Sequence, residues 1–266
     1  MKKGLGELER ALFAYVGMTQ QPVVRTGDLV DALQLTPRSE RNLLSRLAQA
    51  GWIARVKRGL YLVPQRLPLG GKWSPDEILA LTTLMTDARA RFQICGPNAF
   101  NRYGFDEQIP TRLYVYNDKL SGRTTIGRVE LTLIKVAANR LGGTEQVRTR
   151  EGLRAVYCSR VRTLLDAVYD WSRFNSLPRA YDWIRNDLAE RNIKASELVA
   201  ATLKYGDIGT IRRIGALLEQ AGVATRLLRK LAKAAPATKS LIPWIPTLPK
   251  RGTVNRRWGV VINSAE

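Results

Sequence analysis

One short run constrains the fold of this chain more than any other: Leu35-Thr36-Pro37-Arg38-Ser39-Glu40. Thr36 suits a helix N-cap, and Pro37 suits the first helical position, where its missing N–H costs nothing. The helix that starts there is expected to reach Gln49 and to end at Gly51. Upstream, Leu8, Ala11, Leu12 and Tyr15 recur at helical spacing over residues 7–17, and Leu29 and Leu33 mark a second, short helix within 24–33. Downstream, Trp52-Ile53-Ala54-Arg55-Val56 and Leu60-Tyr61-Leu62-Val63 are β-prone, and Lys57-Arg58-Gly59 joins them with a glycine able to take positive φ. Pro64 stops the second strand. Helix, helix, helix, hairpin is the order of a winged helix-turn-helix.

The rest of the 266 residues is a second, larger domain. Pro68, Gly70 and Gly71 mark a linker over 67–73, which separates a winged domain at 1–66 from a domain at 74–266. Ser74-Pro75-Asp76-Glu77 reads as a Ser-x-x-Glu capping box opening a helix. Short strands are expected near 92–95, 112–117, 129–136 and 153–158, with Val129–Leu133 alternating as a half-buried strand should. Helical spacing then dominates at 160–172, 178–190, 196–204, 208–221 and 224–234. Pro236, Pro243, Pro246 and Pro249 predict an extended stretch over 236–252, and Trp258–Ile262 a last strand. The fold class is α+β and helix-rich: a winged helix-turn-helix, then a mixed α/β domain with a helical second half.

Charge and residue usage narrow the function. Forty-three Lys and Arg against twenty-three Asp and Glu leave a net charge of +20. Residues 1–66 and 67–221 each carry +6, the latter over more than twice the length, and 222–266 carry +8. Two basic ends suggest two contact regions for an anionic partner, of which nucleic acid is the commonest. With no histidine, every imidazole-dependent triad, dyad or zinc site is excluded. Cys95 and Cys158 lie far apart and form neither a CxxC nor a disulfide framework. Cys95 has no base to activate it and is expected to be buried. Asp166 and Asp170 could share a metal at i, i+4 spacing, but Arg162 one turn earlier favours an ordinary ion pair. No phosphate-binding glycine loop occurs. Neither a catalytic residue nor a metal or cofactor site is expected, and the chain reads as no enzyme. After Met1-Lys2-Lys3, the charges of Glu7, Glu9 and Arg10 interrupt any signal peptide, and no apolar run could span a membrane. A cytoplasmic, nucleoid-associated protein without a membrane partner is expected.

Projection of the third helix puts Leu43, Leu44 and Leu47 on one face. Arg38, Ser39, Arg41, Asn42, Ser45, Arg46 and Gln49 fall on the other. Arg reads guanine, Asn and Gln read adenine, and Ser bonds to bases or phosphate. Since the N-terminal part of such a helix enters the major groove, Arg38, Arg41 and Asn42 are expected at base edges, and Arg46 and Gln49 at the flanking backbone. A solvated polar face alone would explain such a helix. A wing carrying Arg55, Lys57 and Arg58 beside it makes DNA the better reading. A second basic set, Arg212, Arg213, Lys250, Arg251, Arg256 and Arg257, has three readings. It could contact phosphate, dock an acidic protein, or flank a strand whose Trp258 and Val260 pack inward.

Three features in order resemble one family: Arg58-Gly59-Leu60-Tyr61, Cys158-Ser159-Arg160-Val161-Arg162-Thr163-Leu164-Leu165-Asp166-Ala167, and Lys250-Arg251-Gly252-Thr253-Val254-Asn255-Arg256-Arg257-Trp258-Gly259-Val260. They resemble the AbiEi-type antitoxins of abortive-infection (type IV) toxin–antitoxin systems. The resemblance covers nearly the whole chain, with residues 66–157 matching in outline only. It implies a bacterial antitoxin of phage defence whose winged domain binds inverted repeats upstream of its own operon, two copies binding cooperatively, and represses it. It also implies a larger domain that counteracts a cognate nucleotidyltransferase-like toxin and assists repression, in a protein monomeric in solution. Two other readings stay open. One is a ligand-responsive winged-helix regulator unrelated to a toxin; the other is a pure interaction protein whose cations serve docking alone.

Overall fold

The computed structural model describes residues 6–66, 72–149, 151–235 and 240–263. The linker glycines and Pro68, the first residues Met1-Lys2-Lys3, and Pro236 lie outside the described residues. In chain order the elements are α1 (Glu7–Thr19), β1 (Val23–Arg25), α2 (Asp28–Ala32), α3 (Pro37–Gln49), β2 (Ala54–Lys57), β3 (Leu60–Leu62), α4 (Glu77–Asp87), β4 (Phe92–Ile94), α5 (Pro97–Arg102), β5 (Leu113–Asn117), β6 (Gly122–Ile126) and β7 (Val129–Lys135). A 3-10 turn at Ala138–Arg140 leads to β8 (Thr144–Arg148), β9 (Arg154–Cys158), α6 (Arg160–Tyr169), α7 (Trp171–Phe174), α8 (Arg179–Ala189), α9 (Ala195–Tyr205), α10 (Ile208–Gln220), α11 (Thr225–Ala234), β10 (Ile242–Pro243), β11 (Thr253–Asn255) and β12 (Val260–Ile262). The mixed α+β, helix-rich class is as expected.

These elements form two compact units. The first takes in Met1–Phe92, Thr111–Val136 and Arg148–Ala155. Its winged part begins with α1 to α3 and a three-stranded antiparallel sheet in the order β1-β3-β2. The core is built from Leu12, Phe13 and Val16 of α1, Leu29 of α2, Leu43, Leu44 and Leu47 of α3, and Val24 and Tyr61 of the sheet. Each such side chain contributes roughly 2 kcal/mol on burial, which fixes the rotation of α3 about its own axis. Thr36 caps α3, its hydroxyl oxygen accepting from Ser39 N–H at 3.1 Å. At the wing turn Gly59 has φ +78°, a conformation that a side chain would strain, and its carbonyl accepts from Thr26 N–H at 3.0 Å. Strand β1, absent from the sequence expectation, completes the sheet by pairing Val24 with Tyr61.

The capping box expected at Ser74 is not formed. Asp76 caps α4 instead, accepting from Ile78 N–H at 2.8 Å and Leu79 N–H at 3.0 Å. A carboxylate at that position is the stronger acceptor, and Ser74 Oγ serves the Arg128 N–H at 3.0 Å. Further along, β6 pairs antiparallel with β7, and β7 pairs in parallel with β5. Leu131 and Leu133 of β7 are buried as the alternation predicts; Ile134 is buried as well, so the end of this strand is covered on both faces.

The second unit comprises Gln93–Pro110, Ala137–Val147 and Val156–Glu266. Ile94 of β4 pairs in parallel with Tyr157 of β9, and α6 to α11 follow. Ser159 caps α6, and Arg160 grips Asp187 of α8 with two hydrogen bonds of 2.6 Å. Asp187 raises the Arg160 guanidinium by those hydrogen bonds, against the effect of burial. Arg162 and Asp166, both 1% exposed, form the i, i+4 ion pair that their spacing suggested, at 2.8 Å. Arg140 reaches the other carboxylate oxygen of Asp166 at 3.2 Å. The last strands run in the order β10-β12-β11, with β10 parallel and β11 antiparallel to β12.

Candidate nucleic-acid interface

Helix α3 keeps its two faces apart. Leu43, Leu44 and Leu47 are buried, whereas Arg38, Ser39, Arg41, Asn42, Ser45, Arg46 and Gln49 are all exposed. Arg55, Lys57 and Arg58 are exposed on and beside the β2–β3 turn. All ten side chains singled out in sequence are therefore at the surface of one winged fold. Arg46 is tethered, its guanidinium donating to Glu9 of α1 at 2.5 Å, so it reaches a backbone phosphate only by exchanging one anion for another.

Two acidic residues that the sequence reading passed over organise this face. Glu40 is fully buried on α3. Its carboxylate accepts from Gly27 N–H at 2.9 and 2.7 Å and from Leu29 N–H at 3.0 Å. These are amides at the start of α2 with no partner within that helix, so Glu40 sets the angle between the two helices of the helix-turn-helix. The signal was present: Glu40, Leu43, Leu44 and Leu47 share one spacing, which places a carboxylate on the apolar stripe.

Asp87, at the end of α4, pairs with Arg25 at 2.6 Å and with Lys57. Hydrogen bonds from Lys57 and then Arg25 hold its carboxyl below the usual carboxylate range, in spite of desolvation. Lys57 is thus already partnered, and no local pattern links Asp87 to Lys57 or to Arg25, the latter 62 positions away. Asp87→Asn releases both cations. The expected result is a several-fold tighter grip on duplex DNA at low salt, with a log–log salt slope steeper by about one to two. Fluorescence anisotropy across a salt series checks this, and an unchanged slope would show that Asp87 restrains neither cation.

The second basic set needs correction at two positions. Arg212 and Arg213 are only 5% and 8% exposed. Arg212 donates to the carbonyls of Trp258 and Ser240 at 2.6 Å each and also to that of Gly259, while Arg213 donates to Pro243 O at 3.3 Å. They tie α10 to the terminal strands and offer a partner nothing. Burial lowers both guanidinium groups from their ordinary value. Trp258 and Val260 pack inward, which was the third reading of this segment. Lys250, Arg251, Arg256 and Arg257 remain exposed, but Arg257 binds Glu219 at 2.7 Å and Lys250 donates to Leu241 O at 3.1 Å. Asn255 and the Trp258 indole also donate to Glu219 at 2.9 and 3.1 Å. Burial alone would raise that carboxyl; these hydrogen bonds and Arg257 bring it below its usual range. Sequence reasoning also missed the exposed stripe of Arg226, Arg229, Lys230 and Lys233 on α11, opposite buried Leu228 and Leu231. It is legible in the i, i+3, i+4, i+7 spacing of those cations.

Cys158 is buried, and burial pushes its thiol well up, so it is no nucleophile. Cys95 is buried as expected. Among the described residues no group of three or more Cys, Asp or Glu side chains is placed to hold a metal ion, and no helix is long and apolar enough to cross a membrane.

The wing and α3 lie within the part of the chain that a family model matches. Residues 18–64 match the family model of the transcriptional regulator, AbiEi antitoxin. The AbiEi resemblance seen in sequence is thereby met over the helix-turn-helix and wing. The fold as a whole is similar to the crystal structure of the RV2827C protein from Mycobacterium tuberculosis, with a TM-score of 0.61 at 15% identity over 97% of this chain and 92% of that one. At that identity the likeness concerns the fold alone. No curated protein sequence matches the chain.

Proposed function

We propose that this chain is a bacterial antitoxin that represses its own operon by binding inverted-repeat operator DNA and counteracts a cognate nucleotidyltransferase-like toxin. The observation that carries the reading is the AbiEi match over residues 18–64, coinciding with an α3 whose exposed face carries Arg38, Ser39, Arg41, Asn42, Ser45 and Gln49. Arg38, Arg41 and Asn42 read base edges at the N-terminal end of α3. Arg55 and Arg58 hold phosphates along the wing, with Lys57 joining them when it leaves Asp87. Repression is steric and involves no enzymatic step. The protein works in the cytoplasm, with two copies on the two halves of the operator. The second unit serves toxin neutralisation; Arg251, Arg256 and the α11 stripe supply the charge by which it meets an acidic surface.

The test is binding of the full chain to the DNA upstream of its gene, against a scrambled duplex of equal composition. A preference of about 10³-fold or more at physiological salt is expected. With about six phosphates engaged, log K falls with log salt at a slope near −5. Equal affinity for the two duplexes would sink the repressor reading. Growth rescue on co-expression with the neighbouring toxin tests the second half.

A further inference from the structure

The first unit holds a concave site that shares Gln49 and Arg55 with the proposed DNA-binding face and extends beyond it to residues the repressor reading does not use. It is a hollow of about 370 Å³ where the C-terminal end of α3, strand β2, the segment 72–73 and the β6–β7 turn meet. Arg55, Lys72 and Arg128 line it, one from each of three separate stretches of chain, together with Gln49 and Trp73. No acidic residue lines it. All three cations are exposed, and Trp73 is half-buried.

The walls are fixed by backbone contacts. Trp73 N–H donates to Gly51 O at 2.8 Å, which anchors the segment carrying Lys72 to the end of α3. A Cβ on Gly51 would lie 3.7 Å from Lys72 Cγ, so the lysine stem passes over a residue whose own φ of +77° favours glycine. Arg128 N–H donates to Ser74 Oγ at 3.0 Å, one residue beyond Trp73. Gly127 has φ +63°, and a Cβ there would come within 2.8 Å of Pro75. The segment 72–75 is therefore tied on one side to α3 and on the other to the β6–β7 turn. The backbone of three segments, each carrying one of these cations, is thus fixed around one space.

We propose that this hollow is a phosphate-binding site of nucleotide class, in which Arg55, Lys72 and Arg128 take the phosphates and Trp73 supplies an aromatic wall for the base. The size suits it, since small-ligand sites start near 300 Å³. The chemistry suits it as well: three cationic residues lining one hollow without an acid can neutralise a polyphosphate, once the Arg55 guanidinium turns from the Lys57 carbonyl it meets at 3.4 Å, and a half-buried indole offers a stacking surface. A nucleotide unit reaches the site either free or as part of a DNA strand. Arg55 belongs to both the hollow and the wing, so a free nucleotide competes with the operator for that guanidinium. The competition rests on the repressor reading; the site does not.

The experiment compares the wild-type full chain with Lys72→Ala/Arg128→Ala, neither position belonging to the face of α3 or to the wing. ATP, GTP and inorganic pyrophosphate are titrated calorimetrically, and the upstream duplex by anisotropy. Circular dichroism and thermal melting confirm that the variant is folded. Binding of ATP, GTP or pyrophosphate that weakens about tenfold or more in the variant supports the site with a free ligand, whether or not the wild type binds the duplex. Duplex binding that weakens about tenfold, with an unchanged operator-to-scrambled ratio and no nucleotide binding by the wild type, supports the site with a strand as the source. Trp73→Phe separately removes the fluorescence change that the ligand produces. Equal binding of every probe by variant and wild type overturns the proposal. A wild type that ignores the duplex yet loses nucleotide binding on mutation overturns only the repressor reading.

Discussion

Replacing Arg38, Arg41 and Asn42 together with alanine is expected to lower affinity for the upstream duplex by about 10²- to 10⁴-fold while scrambled DNA loses only several-fold. Each well-made side-chain-to-base pair discriminates by about 1–3 kcal/mol, so removing three collapses most of the margin between specific and nonspecific binding. All three are exposed, and none holds the core. The melting temperature should stay where it is, which separates lost recognition from lost fold. The wing behaves differently. Arg55→Ala/Arg58→Ala should weaken both duplexes alike and flatten the salt slope by about two, because phosphates carry no sequence. Parallel titrations of the two duplexes at several salt concentrations distinguish these outcomes. A triple variant that keeps its operator preference would move the reading face away from α3.

The second large effect concerns stability. Asp166→Ala is expected to cost about 3–5 kcal/mol, because it takes the paired carboxylate from the buried Arg162 guanidinium and from Arg140. Burial drives the Asp166 carboxyl upward, and the two guanidinium groups oppose that by favouring the charged form. Arg162 retains its bond to Gly142 O at 3.1 Å and its place over the Tyr205 ring, 4.1 Å from the centroid. Those contacts orient it without neutralising it. Against a typical total of about 5–15 kcal/mol, the loss should remove a large part of the second unit's stability. Urea unfolding followed by circular dichroism measures it. A cost below about 1 kcal/mol would mean that the folded protein holds Asp166 uncharged.

The N-terminal fold was legible because its signals are local. Thr36, Pro37, Gly51 and Gly59 each act on backbone within a few residues, and α3 begins and ends where they place it. Ser74 failed by the same measure: two acceptors compete for one helix start, and the carboxylate two residues on takes it. Arg212 and Arg213 failed for a different reason. Their carbonyl partners lie 28 to 47 residues downstream, and a guanidinium that satisfies buried carbonyls looks in sequence like one that awaits phosphate. Asp87 is the converse case, an ordinary helix-end acid whose partners, Arg25 of β1 and Lys57 of the wing, lie far upstream. Charge pattern alone separates basic from acidic regions; only the fold shows which cations are already engaged.

The bonds from Arg212 to Trp258 and Gly259 also bear on how the molecule is made. A Cβ on Gly215 would fall 2.3 Å from the Trp258 ring, so α10 is shaped at that glycine around a side chain synthesised more than forty residues after it. The packing of α10 on the terminal strands cannot be completed during translation until that tryptophan has cleared the ribosomal exit tunnel. Until then the part of α10 that Trp258 covers is exposed to chaperones and proteases, whereas the helix-turn-helix and wing, contiguous and earlier in the chain, emerge long before it.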